Sequence, residues 1–122
     1  MVEPAPSTLI LKTEDMAATI EWYRTVGFTV AASHPDRDPT WCEVRRDTTA
    51  LQFVAGETPW PQPPTLTGCI YVYPASVSQV HDEVRGRVEV PWGIEEREWG
   101  TSELVLQDPN GYFVTFCEPL DS

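Results

Sequence analysis

The sequence predicts an α+β fold made of two βαβββ modules, and three observations carry that expectation. Short apolar stretches of strand length surround one amphipathic helical stretch in each half, in the same order. A glycine stands at the end of each helical stretch, Gly27 in the first half and Gly86 in the second. A run of prolines (Pro59, Pro61, Pro63 and Pro64) separates the halves. An order of elements repeated at module length marks architecture rather than chance. The first module is placed at 8–55, the connector at 56–66 and the second module at 67–118, within one domain spanning 1–122.

In the first half, residues 8–12 read as an unbroken apolar strand. Thr13 offers a helix N-cap, with Glu14 and Asp15 on the first turn where the helix dipole favours negative charge. Met16, Ile20 and Tyr23 share one helical face, and Gly27 is placed to end the helix in the left-handed region. Strands are expected at 28–32, 41–45 and 50–54. The connector is too rich in proline for a helix or a central strand. In the second half a strand is expected at 69–73. A helix at 76–85 carries Val77, Val80 and Val84 on one face. Strands follow at 87–90, 103–107 and 113–117, with Asp108 to Gly111 as a tight turn. One helix covers one face of each small sheet and leaves the other face open. Two such faces brought together make a cleft.

Composition limits the partners. A chain of 122 residues with 41% hydrophobic content buries enough surface to fold without staples. Nineteen acids against eight bases give a net charge of −11, which argues against nucleic acid and favours either cationic small molecules or plain solubility. The three cysteines, Cys42, Cys69 and Cys117, form no CxxC pair, so neither a disulfide framework nor a zinc knuckle is indicated. The N-terminal six residues lack the layout of a signal peptide, and no apolar run reaches the ~20 residues that span a bilayer. The chain reads as cytoplasmic, without membrane partners.

Two segments carry a resemblance. Residues 12–28, KTEDMAATIEWYRTVGF, resemble the opening of vicinal-oxygen-chelate proteins, whose first helix ends in an aromatic pair and "LGF". Residues 99–116, WGTSELVLQDPNGYFVTF, resemble that superfamily's closing "WG…E…L.DP.GN…F". The superfamily holds glyoxalases, dioxygenases and bleomycin resistance proteins, and the resemblance implies their glyoxalase/bleomycin-resistance-type fold and a homodimer.

The resemblance also implies where a catalytic divalent metal would sit: on Thr8, Gln52, Cys69 and Thr115. Only Gln52 is a plausible ligand, and holding such a metal takes several imidazoles or carboxylates. His34, in a turn-like stretch, and His81, on the second helix, do not complete the set. No metal and no cofactor are therefore expected.

Metal-free relatives of the bleomycin-resistance type sequester a basic antibiotic in dimer grooves. The matching feature here is Trp99, at the place where such proteins stack a heteroaromatic ligand. Glu95, Glu96 and Glu98 precede it, and could stand beside a cationic group or form a solvated loop. Trp41, Tyr71, Gln52 and Glu103 complete the candidate ligand-binding set, with Trp99 as either ligand wall or dimer anchor. Trp60 and Trp92 have no assigned role beyond one of them packing across a dimer, and Arg45 and Arg46 are expected at the surface or paired with an acid across the cleft. The leading expectation is a protein that sequesters a small aromatic, cationic natural product. The alternative is an enzyme of the glyoxalase or dioxygenase type, supported only by Gln52, Glu103 and Cys69. A dimer whose cleft has collapsed is a third reading.

Overall fold

The computed structural model describes residues 7–120; the N-terminal six residues, read above as no signal peptide, lie outside that range. The elements run β1 (Leu9–Lys12), α1 (Met16–Thr25), β2 (Thr29–His34), β3 (Trp41–Arg46) and β4 (Thr49–Val54), then β5 (Ile70–Val72), α2 (Val77–Val84), β6 (Ile94–Arg97), β7 (Thr101–Gln107) and β8 (Phe113–Pro119). Each half forms a four-stranded sheet, ordered β1-β4-β3-β2 and β5-β8-β7-β6. The first strand of each half runs parallel to the last, β1 on β4 and β5 on β8. The α+β fold of two βαβββ modules is the one expected.

Alternation along the strands sorts the two faces. Leu11, Cys42, Val44, Leu51 and Phe53 of the first sheet are buried, as are Ile70, Val72, Leu104, Leu106, Val114 and Phe116 of the second. These residues and the inner faces of both helices form one hydrophobic cluster. Side chains at the intervening positions stand on the two open faces.

Side-chain chemistry places the helix starts. Asp15, not Thr13, caps α1, its carboxylate accepting from the Ala18 N–H at 3.0 Å. The expected acidic first turn is therefore absent. Thr13 is fully buried and takes a different part: it donates to Asn110 Oδ1 at 2.7 Å and lies 2.8 Å from the Thr19 hydroxyl. That exchange turns Thr19 inward beside Met16 and Tyr23, while Ile20 is only half-buried. Ser76 caps α2 by accepting from Gln79 N–H, and Val77, Val80 and Val84 are buried as expected.

The strand expected at 87–90 does not form; Val88 makes only an isolated bridge to Arg85. The strand that pairs with β7 is instead β6, immediately before a turn in which Gly100 N–H donates to Arg97 C=O at 3.0 Å. A tight hairpin requires its first strand to lead straight into the turn, so Glu95 and Glu96 lie on a strand and Trp99 sits at the turn tip.

The modules are tied by polar bonds between helix α1, β1 and the β7–β8 turn. Tyr23 donates to Asp108 Oδ2 at 2.8 Å, and Tyr112 donates to the Lys12 carbonyl at 2.7 Å. Asp108 Oδ1 also accepts from the Asn110 and Tyr112 N–H groups. Burial raises its pKa despite these bonds, the first from Tyr23.

Arg46, expected at the surface, is another tie. Its side chain is 16% exposed, donates from Nη1 to Val26 C=O at 2.9 Å, and lies over the Phe116 ring at 5.3 Å. Gly27 makes room for it. The helix ends there with Gly27 N–H on Arg24 C=O and Phe28 N–H on Tyr23 C=O, at φ +94. A Cβ at Gly27 would overlap Arg46 Nη1, whereas one at Gly86, φ +81, would meet nothing within 4 Å. Both alanine substitutions incur about 1–2 kcal/mol of left-handed strain. Gly27→Ala should lose about 1–2 kcal/mol more by displacing a charged hydrogen bond. Urea unfolding of the two variants checks this, and equal losses would contradict the interlock.

Candidate ligand-binding site

On the open face of the second sheet, Glu103 projects from the middle of β7. Its neighbours on that face follow from register: Cys117 across on β8, Glu95 across on β6, and Tyr71 beyond on β5, paired with Thr115. Glu103 is 2% exposed. One carboxylate oxygen accepts from the Tyr71 hydroxyl at 3.0 Å and Arg97 Nε at 3.3 Å. The other accepts from the Thr101 hydroxyl at 2.8 Å, Trp99 Nε1 at 3.3 Å and the Cys117 thiol at 3.7 Å.

Burial pushes the Glu103 pKa up, but hydrogen bonds from Thr101, Trp99, Tyr71 and Arg97 outweigh it and hold the carboxyl below the usual glutamate range. Desolvation, and then its bond to Glu103, push the Tyr71 hydroxyl up to about 12. The hydroxyl end is tucked against Glu103 while the residue as a whole remains 38% exposed. Glu103 is thus an ionised anchor whose acceptor capacity is spent on orienting its neighbours.

Those neighbours form a cleft of about 450 Å³ walled by Tyr71, Trp92, Trp99, Val105 and Phe113, with Arg97 and Glu103 as its charged groups. Trp92 gains a place here, its ring 6.2 Å from Phe113 and tilted 33°. Trp60 lies elsewhere, at the connector beside Leu9, Ile10 and Tyr112. Of the site residues picked from sequence, Tyr71, Trp99 and Glu103 come together.

Trp41 and Gln52 do not join them. They stand on the open face of the first sheet, where Trp41 Nε1 donates to Gln52 Oε1 at 3.1 Å and Gln52 Nε2 donates to Glu43 at 3.1 Å. Arg45 closes that row on Glu43 at 2.9 Å. A second cleft, beside Glu43 and Arg45, opens on the first sheet, others lie along α1 and at the connector, and among the described residues no cleft takes walls from both open faces.

The carboxylates before Trp99 do not gather beside it. Glu95 reaches toward Arg97 at 3.8 Å, Glu96 is directed to the other face of β6, and Glu98 lies exposed in the turn. None of the three lines the cleft. Arg97, Val105 and Phe113 were missed. The alternation Thr101-Glu103-Val105 and its partner Phe113-Thr115-Cys117 is the signal that places two of them on the site face.

The four positions implied for a metal fare as follows. Gln52 is on the first sheet with both amide atoms engaged; Thr115 is on the second and Cys69 just precedes its strand β5; exposed Thr8 precedes β1. His34 ends β2 opposite Trp41, and His81 lies on α2. Among the described residues no three His, Cys, Asp or Glu side chains converge to hold a metal ion. This donor set does not fit the divalent metal of the related enzymes. Micromolar Ni²⁺, Zn²⁺ or Fe²⁺ should leave the melting temperature unchanged, because tight native-state binding would raise it. A shift of several degrees that disappears in Gln52→Ala would contradict this reading.

Among the described residues no helix is long and apolar enough to cross a membrane. Comparison with curated proteins gave no match. Solved structures of the same fold do match. A glyoxalase/bleomycin resistance protein/dioxygenase from Nocardioides is 18% identical, with a TM-score of 0.74, covering 100% of this chain and 87% of that one. The bleomycin resistance determinant encoded on transposon Tn5 is 19% identical, with a TM-score of 0.69, covering 95% and 98%. A bleomycin-binding protein complexed with bleomycin is 19% identical, with a TM-score of 0.67, covering 98% and 100%. The model of one family matches residues 7–116, nearly the whole chain. The chain belongs to the Glyoxalase/Bleomycin resistance protein/Dioxygenase superfamily.

Proposed function

We propose that the protein binds and sequesters a small planar aromatic molecule, working as a homodimer. The observation that carries this reading is the aromatic cleft on the second sheet, whose one carboxylate among the described residues, Glu103, is held below the usual glutamate range by hydrogen-bond donors. Sequestration needs a preformed apolar cleft with a few polar fixtures and no group free to exchange protons. The bleomycin-binding protein of the same fold supports the reading by analogy of architecture alone.

A dimer completes the arrangement. Tyr73, Trp92 and Trp99 on or beside the second sheet's open face are 64%, 58% and 70% exposed, more apolar surface than a monomer ordinarily leaves together. Placing the first sheet's open face, with Trp41 and Gln52, over the partner's second sheet would cover them. Two-fold symmetry then yields two equivalent clefts.

Tryptophan quenching by a panel of planar aromatics, run beside sedimentation, tests the proposal. Saturable quenching at one ligand per chain by a species of twice the chain mass is expected. A ~14 kDa species alone would remove the dimer. Failure of every aromatic to quench would remove the binding role. Steady conversion of a ligand would replace it with the enzyme reading.

A further inference from the structure

We infer that Arg97 makes the second-sheet cleft selective for an aromatic ligand bearing a hydrogen-bond acceptor at its edge, of the aryl carboxylate or aryl ketone kind, and not for an aromatic cation. The inference rests on the proposed binding role of that cleft and fixes the polarity of what enters it.

The polar inventory decides the sign. The one carboxylate lining the cleft among the described residues, Glu103, is 2% exposed behind Tyr71, Arg97 and Trp99. Its two oxygens accept five bonds between them, so an incoming ammonium finds no lone pair without breaking one. The Tyr71 hydroxyl and the Trp99 ring N–H are turned toward Glu103 and away from a ligand.

Arg97 is different. Its guanidinium carries five N–H donors, and among the described residues only Nε makes a hydrogen bond, to Glu103. Nη1 lies 3.8 Å from Glu95, too far for a hydrogen bond, and the side chain is 29% exposed. The fork is held at its Nε end by a buried anion, and its Nη end, loosely ion-paired with Glu95, keeps its N–H donors without a hydrogen-bond partner among the described residues, beside aromatic walls. It can grip a carboxylate or carbonyl at the edge of a ring lying on those walls.

The net charge of −11 pulls the other way, but its far-lying part is screened beyond about 8 Å at physiological salt. Contact groups in the cleft then set the ranking.

Three probes of one shape test this at about 0.15 M salt: 2-naphthoate, 2-acetonaphthone and 2-naphthylmethylammonium, titrated by equilibrium dialysis. The naphthoate should bind at least about tenfold more tightly than the ammonium, with the ketone between them. Arg97→Gln should bring naphthoate and ammonium to within about twofold of each other. Arg97→Lys, which keeps the charge without the fork, should retain part of the preference. A merely structural role for Arg97 would lower all three affinities together and leave their ratio intact, which would overturn the inference. Preference for the ammonium in the wild-type chain would overturn it while leaving the binding role standing. Failure of all three to bind would remove both.

Discussion

Glu103→Ala should destabilise the protein by about 3–5 kcal/mol, the largest loss expected of any open-face substitution. The side chain is 2% exposed and accepts from Thr101, Tyr71, Trp99, Arg97 and Cys117. Truncation strands those donors and leaves the Arg97 charge without its buried partner. Glu103→Gln keeps the shape but turns an amide NH₂ toward groups that also donate, and should lose roughly half as much.

The two variants also separate charge from packing through pH. The Glu103 pKa is lowered in the folded chain, so its contribution is complete above the ordinary glutamate value and disappears as pH falls through the folded value. The stability gap between wild type and Glu103→Gln should be flat above about pH 5 and close under stronger acid. Asp108, whose folded pKa is raised, acts in the opposite direction as pH falls, but it is common to both chains and cancels in the difference. Urea unfolding across pH measures the gap. A gap that does not change with pH would mean the carboxylate charge is not what the five donors recognise.

Trp99→Ala should weaken an aromatic ligand by about tenfold to several hundredfold, through lost stacking and lost buried area. The residue is 70% exposed at the tip of the β6–β7 turn, so the fold itself should lose little. Its Nε1 donates to Glu103, and its side chain lines the cleft. Trp99→Phe, which keeps a ring and loses that donor, should fall between. The rival role for Trp99, a dimer anchor, predicts a different pair of results: dissociation to a ~14 kDa species and a lower melting temperature. Sedimentation and equilibrium dialysis on the same preparation tell them apart.

Much of the architecture could be read from residue order because the signals were local. Gly27 and Gly86 end their helices at positive φ, and the valines of α2 fall at helical spacing on the core. The strand that was misplaced shows what local signals miss. Residues 87–90 alternate apolar and polar and look like a strand, yet Val88 and Val90 pack on the core with no more pairing than the isolated Val88–Arg85 bridge. Residues Ile94–Arg97 carry three charges in four positions and look like a loop, yet they form the hairpin edge because the Arg97–Gly100 turn demands it. Pairing, a non-local property, overrode pattern.

The site was half legible for the same reason. Alternation tells which face of its own sheet a residue occupies, so it could set Tyr71 and Glu103 on one face, while Trp99, in the turn, was reached through the family resemblance. It carries no information on how two sheets are set against each other, so Trp41 and Gln52 were assigned to a common cleft that the chain does not make alone. Reading Glu95, Glu96 and Glu98 as neighbours of one ligand missed that β6 sends Glu95 and Glu96 to opposite faces.

A crystal structure of the protein grown with 2-naphthoate tests the central claim most directly. The account predicts one unaltered ligand per chain on the open face of the second sheet, its ring on Trp99 and its carboxylate on Arg97, with a partner chain's first sheet over it. A ligand seated on the first sheet beside Trp41 and Gln52 without touching the second, or one recovered as a chemically altered product, would contradict it.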